Sequence, residues 1–404
     1  MAAWSDLTFD ALEHITSLLS FSDRYRFGAV CKNWRSVSKG TQHPPAPQLP
    51  WLVLEEESET RKRKFYSLSE DKHYSIEIPE LYGRYICGSS HGWLFAVDIK
   101  ISGIIINPFT RKYYELPPLP AYHKNVDVTT LIENVPSDCM EWPRGFTFKE
   151  MQTAIVFKAI LSHDPDEMSD FTIMILFGQM HSPAFWRPGD SSWTVVDGPK
   201  CAMEDVLYFQ ENFYIISAMN VLYVVDFEPE PKLIEVGPQI CPEICLEGCA
   251  LQRYLIDFDE NMILIERFSR SVGNELPITH GFNMIEPNLE EDRLYEWYDI
   301  DDYAIFLGRN SAIFVDSSDV PECKKNAIYF THITESVSPV EFGFHDLGVY
   351  DITDKRINTF YSVGIFPPRV DSPVWFTPNS SQATPALFCN YESIYNSQYV
   401  CCSF

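Results

Sequence analysis

Positive charge is scarce in this sequence. Lys and Arg number 31 against 57 Asp and Glu, a net charge of −26. Nucleic-acid binders neutralise phosphates with clustered Lys and Arg, so this balance excludes nucleic acid as the expected partner, and anionic membrane surfaces with it. Long apolar runs are also missing: none reaches the ~20 residues of a membrane-crossing helix. The first residues carry no basic start followed by an apolar core, so no secretory signal is expected. The 11 cysteines are odd in number and scattered. They fit reduced, mostly buried thiols in the cytoplasm or nucleus rather than a disulfide framework. A Gly-rich phosphate loop is absent, and helical periodicity is confined to one stretch near the N-terminus.

That stretch is residues 4–40. Leu12, Ile15 and Leu19 recur at helical spacing and fall on one face. Thr8 is placed to cap a first helix, with Asp10 and Glu13 near its positive end. Ser22 is placed to cap a second, and Val30, Trp34 and Val37 make another apolar stripe. About forty residues bury too little surface to be stable alone, so these faces need the rest of the chain or a partner. Residues 41–50, TQHPPAPQLP, hold four prolines and read as a stiff linker and domain boundary.

The opening Trp4-Ser5-Asp6-Leu7 and the close Val30-Cys31-Lys32-Asn33-Trp34-Arg35 resemble the F-box, with Thr8 where that family usually has Pro. The resemblance implies docking onto a Skp-type adaptor and, through it, a cullin of a ubiquitin ligase. Leu7, Leu12, Ile15, Leu19, Val30 and Trp34 are then expected to form one adaptor-binding face. An ordinary helical cap on a larger domain is the alternative.

Beyond residue 50 the periodicity changes. Short runs such as WLVLE (51–55), GWLFAVD (92–98), FTIMILFG (171–178), VLYVVDF (221–227) and MILIERF (262–268) are rich in Ile, Val, Phe and Tyr and bounded by turn residues. No long amphipathic helix separates them, which excludes a parallel α/β sheet. Polar residues ending the second strand of each unit, Asn107, Arg187, Asp226, Arg267 and Asp351, are separated by 80, 39, 41 and 84 residues. These gaps are once or twice about 40, the blade length of four-stranded propeller repeats. The fold expected is mainly β: a small N-terminal helical domain (1–40), the linker (41–50), a six- or seven-bladed β-propeller (51–376), and a segment (377–404) supplying the last propeller strand. A large β-sandwich is the structural alternative.

Residues 88–120 and RPGDSSWTVV (187–196) resemble segments of a plant F-box family with a KIB-type β-propeller. Residues 305–331 resemble that family's most distinctive signature through Phe306, Leu307, Gly308, Asn310, Pro321, Asn326, Ile328, Tyr329 and Phe330. Glu322 and Ala312 depart from it, standing where Gly and Ser are usual.

No catalytic, cofactor-binding or metal site is assigned. Cys241, Cys245 and Cys249 recur every fourth residue without a second Cys/His pair. The acidic runs at 164–167, 290–292 and 299–302 read as solvated loops. Arg61-Lys62-Arg63-Lys64 reads either as a nuclear address or as a charged hairpin turn, and Cys401-Cys402-Ser403-Phe404 only formally matches a prenylation box. Two functions remain. One is a non-catalytic substrate receptor of an SCF-type ubiquitin ligase, whose propeller captures an unknown protein in the cytoplasm or nucleus. The other is a propeller enzyme or lectin with a helical cap.

Overall fold

The computed structural model describes residues 7–19, 21–38, 49–57, 60–98, 102–119, 156–178, 180–240, 249–270, 278–308, 311–318, 320, 322–334, 344–358 and 373–378. The first two segments form three short helices, α1 (Phe9–Ser17), α2 (Phe21–Val30) and α3 (Lys32–Ser38). The Thr8 hydroxyl accepts a hydrogen bond from the Ala11 amide at 3.4 Å and caps α1 as expected. α2 begins at Phe21, one residue before the Ser22 expected to cap it. Leu12, Phe27 and Val37 form a small internal core, and Trp34 stacks on Phe27 with ring centres 4.3 Å apart. Arg24 and Arg35 donate to the carbonyls of Ser38 and Gly28 and tie α2 to α3.

The rest of the described chain is β-structure. It opens with β1 (Trp51–Glu56), β2 (Arg63–Ser67) and β3 (Lys72–Ile76), which pair in order. Three antiparallel meanders of four strands follow. The first is β4 (Tyr85–Ser90), β5 (Trp93–Val97), β6 (Gly103–Ile106) and β7 (Tyr113–Glu115). The next is β8 (Val156–Leu161), β9 (Ile173–Phe177), β10 (Ser182–Trp186) and β11 (Thr194–Val195). Then come β12 (Met203–Phe209), β13 (Asn212–Ser217), β14 (Leu222–Asp226) and β15 (Lys232–Glu235). A fifth meander has longer strands: β16 (Cys249–Phe258), β17 (Asn261–Arg270), β18 (Ile278–Asn288) and β19 (Arg293–Trp297). The sixth sheet has five strands, β20 (Tyr303–Gly308), β21 (Ser311–Asp316), β22 (Ala327–Thr334), β23 (Phe344–Asp351) and β24 (Arg356–Asn358). Finally β25 (Val374–Phe376) returns to pair with β1, placing Phe376 opposite Trp51 and Val374 opposite Val53.

Six sheets therefore make a six-bladed propeller, fixing the blade number within the six or seven expected. Joining β25 to β1 closes the ring between the last and first sheets and leaves no open sheet at the seam. The Trp375 indole secures this closure by donating to the Leu307 carbonyl at 3.0 Å and meeting Phe306 edge-on at 5.0 Å. The closing strand lies at 374–376, ahead of the 377–404 segment expected to supply it, of which residues 379–404 lie outside the described residues. Leu49 and Pro50, placed in the linker on composition, are already buried. Leu49 packs with Leu52 and Trp375, so the propeller starts two residues early.

Each pair of neighbouring blades encloses its own apolar cluster. β9 explains why strands here read as unbroken apolar runs. Ile173, Ile175 and Phe177 point into the seam with blade 2, while Met174 and Leu176 point into the seam with blade 4. Successive side chains face opposite ways, and a strand covered on both faces has no reason to alternate with polar residues.

Blade 6 departs from the simple meander. β20 and β21 form a hairpin, but the chain then crosses over so that β22 runs parallel to β20 on its other edge. β21 becomes the innermost strand, lying against β16, β25 and β4. Ala312 and Phe314 face the blade 5–6 seam, whereas Ile313 and Val315 face the blade 6–1 seam.

Candidate interaction surfaces

The six residues expected on the adaptor-binding face do not share one surface. Leu12 is fully buried in the helical core, and Leu7, Ile15, Leu19 and Trp34 pack half-buried around it. Val30 is exposed, and so are Phe9 and Leu18, which sequence spacing did not single out. Five of the six thus hold the helices together. Among the described residues, the cluster they form holds only residues of the helical segment.

The signature residues at 305–331 are structural as well. Phe306 stacks on Tyr329 at 4.6 Å, and Leu307, Ile328 and Phe330 are buried beside them. Burial raises the pKa of the Tyr329 phenol, whose oxygen accepts from the Lys324 amide. Asn326 adopts a left-handed backbone (φ 49°), accepts from the Ile300 amide and donates to the Thr353 hydroxyl. It thereby staples the loops before β20, before β22 and after β23. Glu322 is exposed, while Asn310 and Pro321 lie outside the described residues.

A Gly-x-Ser-x-Gly motif was expected to be absent, yet Gly88-Ser89-Ser90-His91-Gly92 spells one. A nucleophile elbow needs a strand–turn–helix, but this segment is the turn between β4 and β5, with φ of 52° at His91 and 79° at Gly92. Ser90 makes no hydrogen bond to His91 or His163 among the described residues. Burial pushes the Cys323 thiol up to about 11, which keeps it protonated and unreactive at neutral pH. No cluster of three or more metal-ligating side chains occurs among the described residues, and Cys241 and Cys245 lie outside them. No described helix is long and apolar enough to cross a membrane.

One acidic run differs from the solvated loop expected, and the basic tetrad lies in the β1–β2 hairpin, which is one of its two readings. Asp164 is buried and accepts from the Trp93 indole and the Asp166 amide, both at 2.9 Å. Arg63, inside the basic tetrad, is buried in the β1–β2 hairpin and donates to the carbonyls of Leu54, Leu81 and Arg84. The runs at 290–292 and 301–302 are exposed as expected.

Buried ion pairs link strands within and between blades, and sequence reasoning missed them. Lys158 on β8 pairs with Asp205 on β12, and Asp205 also accepts from the Leu255 amide on β16. Arg253 pairs with Glu204 at 3.0 Å and Glu266 at 3.3 Å. Arg267 pairs with Asp346 across the blade 5–6 seam, and Thr279 bonds both. These groups connect neighbouring blades, and nothing in their arrangement resembles a reaction centre.

Comparison with known proteins places the two parts. The F-box domain model matches residues 4–42, and the KIB1-4 beta-propeller model matches residues 65–351. Among curated relatives from Arabidopsis thaliana, F-box protein At1g10110 is 22% identical over 93% of this chain and 96% of its own length. F-box protein SKIP23 is 23% identical over 94% of this chain and 97% of its own length. Solved structures overlap only loosely. AofleA from Arthrobotrys oligospora gives a TM-score of 0.27 at 9% identity, covering 68% of this chain and 78% of its own. A post-proline cleaving enzyme from Rickettsia typhi gives 0.30 at 8%, covering 89% and 58%. Neither overlap bears on function. With the propeller model spanning most of the chain and the F-box model the helices before it, the chain belongs to the family of F-box proteins that carry a KIB1-4 β-propeller.

Proposed function

We propose that this protein is a substrate-receptor subunit of an SCF-type ubiquitin ligase. The helices dock on a Skp-type adaptor, which brings a cullin, and the propeller holds a target protein. The observation that carries this reading is the union, in one chain, of an F-box domain with its own core and a closed propeller. The adaptor contacts are assigned to the apolar side chains left exposed, Phe9, Leu18 and Val30, with Leu7, Ile15, Leu19 and Trp34 supporting them from behind. The protein then contributes proximity rather than bond chemistry, raising the effective concentration of ubiquitin donor near the target.

The test compares full-length protein with a chain lacking residues 1–40, in cells where the proteasome is inhibited. Both should capture the same partner, and only the full-length chain should drive its ubiquitination. A truncated chain that still drives ubiquitination of its bound partner overturns the reading.

A further inference from the structure

Blades 5 and 6 meet around an aromatic cluster, drawn from β16, β19, β20 and β21, that the receptor reading leaves unused. Phe258, the last residue of β16, is buried at its centre. Trp297 meets it edge-on at 5.4 Å, Tyr303 edge-on at 5.1 Å, and Phe314 tilted at 5.2 Å. Trp297, Tyr303 and Phe314 pack against the buried cluster and are only half-buried, so part of each side chain reaches the surface. Exposed carboxylates rim the cluster. Asp259 and Glu260 are the two central residues of the β16–β17 turn, with φ of 49° and 65°. That mirror-image turn is the one tight hairpins prefer, and it projects both side chains from the strand end. Asp302 immediately precedes Tyr303, and Asp316 ends β21. Tyr303 lies opposite Asp316 in the β20–β21 pair and directly follows Asp302, and Asp259 foremost, then burial, Asp316 and Asp302 raise the pKa of its phenol. Hydrogen bonds from the Ser318 hydroxyl and amide hold Asp316 below the usual carboxylate range and keep it charged. Lys325 answers Asp302 at 2.7 Å, while Asp259, Glu260 and Asp316 are in no ion pair among the described residues.

We propose that this acid-rimmed aromatic cluster docks a basic segment of a partner protein and seats an arginine side chain on its rings. A planar guanidinium stacks on ring faces and offers a fork of donors to carboxylates, which a lysine ammonium does less well. A neutral or acidic segment would leave three carboxylates facing apolar or like-charged surface. The net charge of −26 favours encounter with a basic partner. This inference rests on the propeller being the capture module and names the chemistry it captures.

The experiment uses the full-length protein and fluorescein-labelled Gly-Ser-Arg, Gly-Ser-Lys and Gly-Ser-Glu repeat peptides of equal length, read by anisotropy at low salt. The arginine peptide should bind more tightly than the lysine peptide, and the glutamate peptide should not bind. Asp259→Asn with Asp316→Asn should weaken arginine-peptide binding about tenfold. Tyr303→Leu should weaken it by a similar factor, and Tyr303→Phe should leave it within about twofold. The charge-matched pair Glu290→Gln with Glu291→Gln, in the exposed β18–β19 turn, should change nothing. Equal losses from the two charge pairs mean diffuse attraction and overturn the site, as does no binding of the arginine peptide. Because the assay contains no ligase component, its failure leaves the receptor reading standing, and failure of ubiquitination leaves the site standing.

Discussion

Asp205 ties together the inner strands of three blades. It pairs with Lys158 and accepts from the backbone of Val206 and Leu255, so one side chain touches three consecutive blades. Burial raises its pKa against the opposing pull of Lys158. Asp205→Asn should cost about 3–5 kcal/mol in denaturant unfolding, because it strands a buried ammonium. A loss below ~1 kcal/mol would mean that water reaches the pair. Asp351 behaves oppositely. Hydrogen bonds from the Asp354 amide and the Lys324 ammonium hold it below the ordinary carboxylate range. Its contribution is present above the unfolded pKa of about 4 and is lost as pH falls through the lower folded value. Melts from pH 6 down to about 2 should show Asp351→Asn less stable at the top of that range and the gap closing on acidification. At this scale the sequence revealed the Thr8 cap, a local event three residues long. It hid the Lys158–Asp205 pair, whose members are 47 residues apart and meet only once the ring is built.

Elements were legible where strand lengths stayed constant. Asn107, Arg187 and Asp226 each end or follow the third strand of blades 2, 3 and 4, which is why their spacing tracked the blades. Arg267 instead falls within β17, because the strands of blade 5 run to ten residues. Asp351 ends β23, the fourth strand across a blade that inserts β21 on its inner side. No periodicity announces that insertion, since β21 has the same short apolar pattern as its neighbours. The helices show the complementary limit. In a nine-residue helix, i, i+3 and i+7 spacing marks an apolar face but cannot say whether a neighbouring helix or a partner covers it. Gly88 marks a close approach between β4 and β8: a Cβ there would sit 2.3 Å from the Ala159 carbonyl oxygen. Gly88→Ala should force the inner strands of blades 2 and 3 apart and cost about 1–3 kcal/mol in equilibrium unfolding. A neutral effect would show that this seam is loosely packed.

At the scale of the whole molecule, ring closure and the helical module make separate demands. Removing residues 373–404 takes away β25 and should leave an open, aggregating chain rather than a shorter propeller, which light scattering reads directly. Removing residues 1–48 should leave residues 49–404 soluble and nearly helix-free by circular dichroism, since the helical core is its own. Val30→Glu with Leu18→Glu should spare both folds and alter only what the exposed helical surface binds. The most direct measurement is size-exclusion chromatography with light scattering of a purified Skp-type adaptor mixed with full-length protein, with the Leu18/Val30 double variant, or with residues 49–404. The predicted result is a one-to-one complex with the full-length chain, a weakened complex with the variant, and none with residues 49–404. A full-length chain that elutes apart from the adaptor, or a propeller that binds it without the helices, contradicts the receptor role.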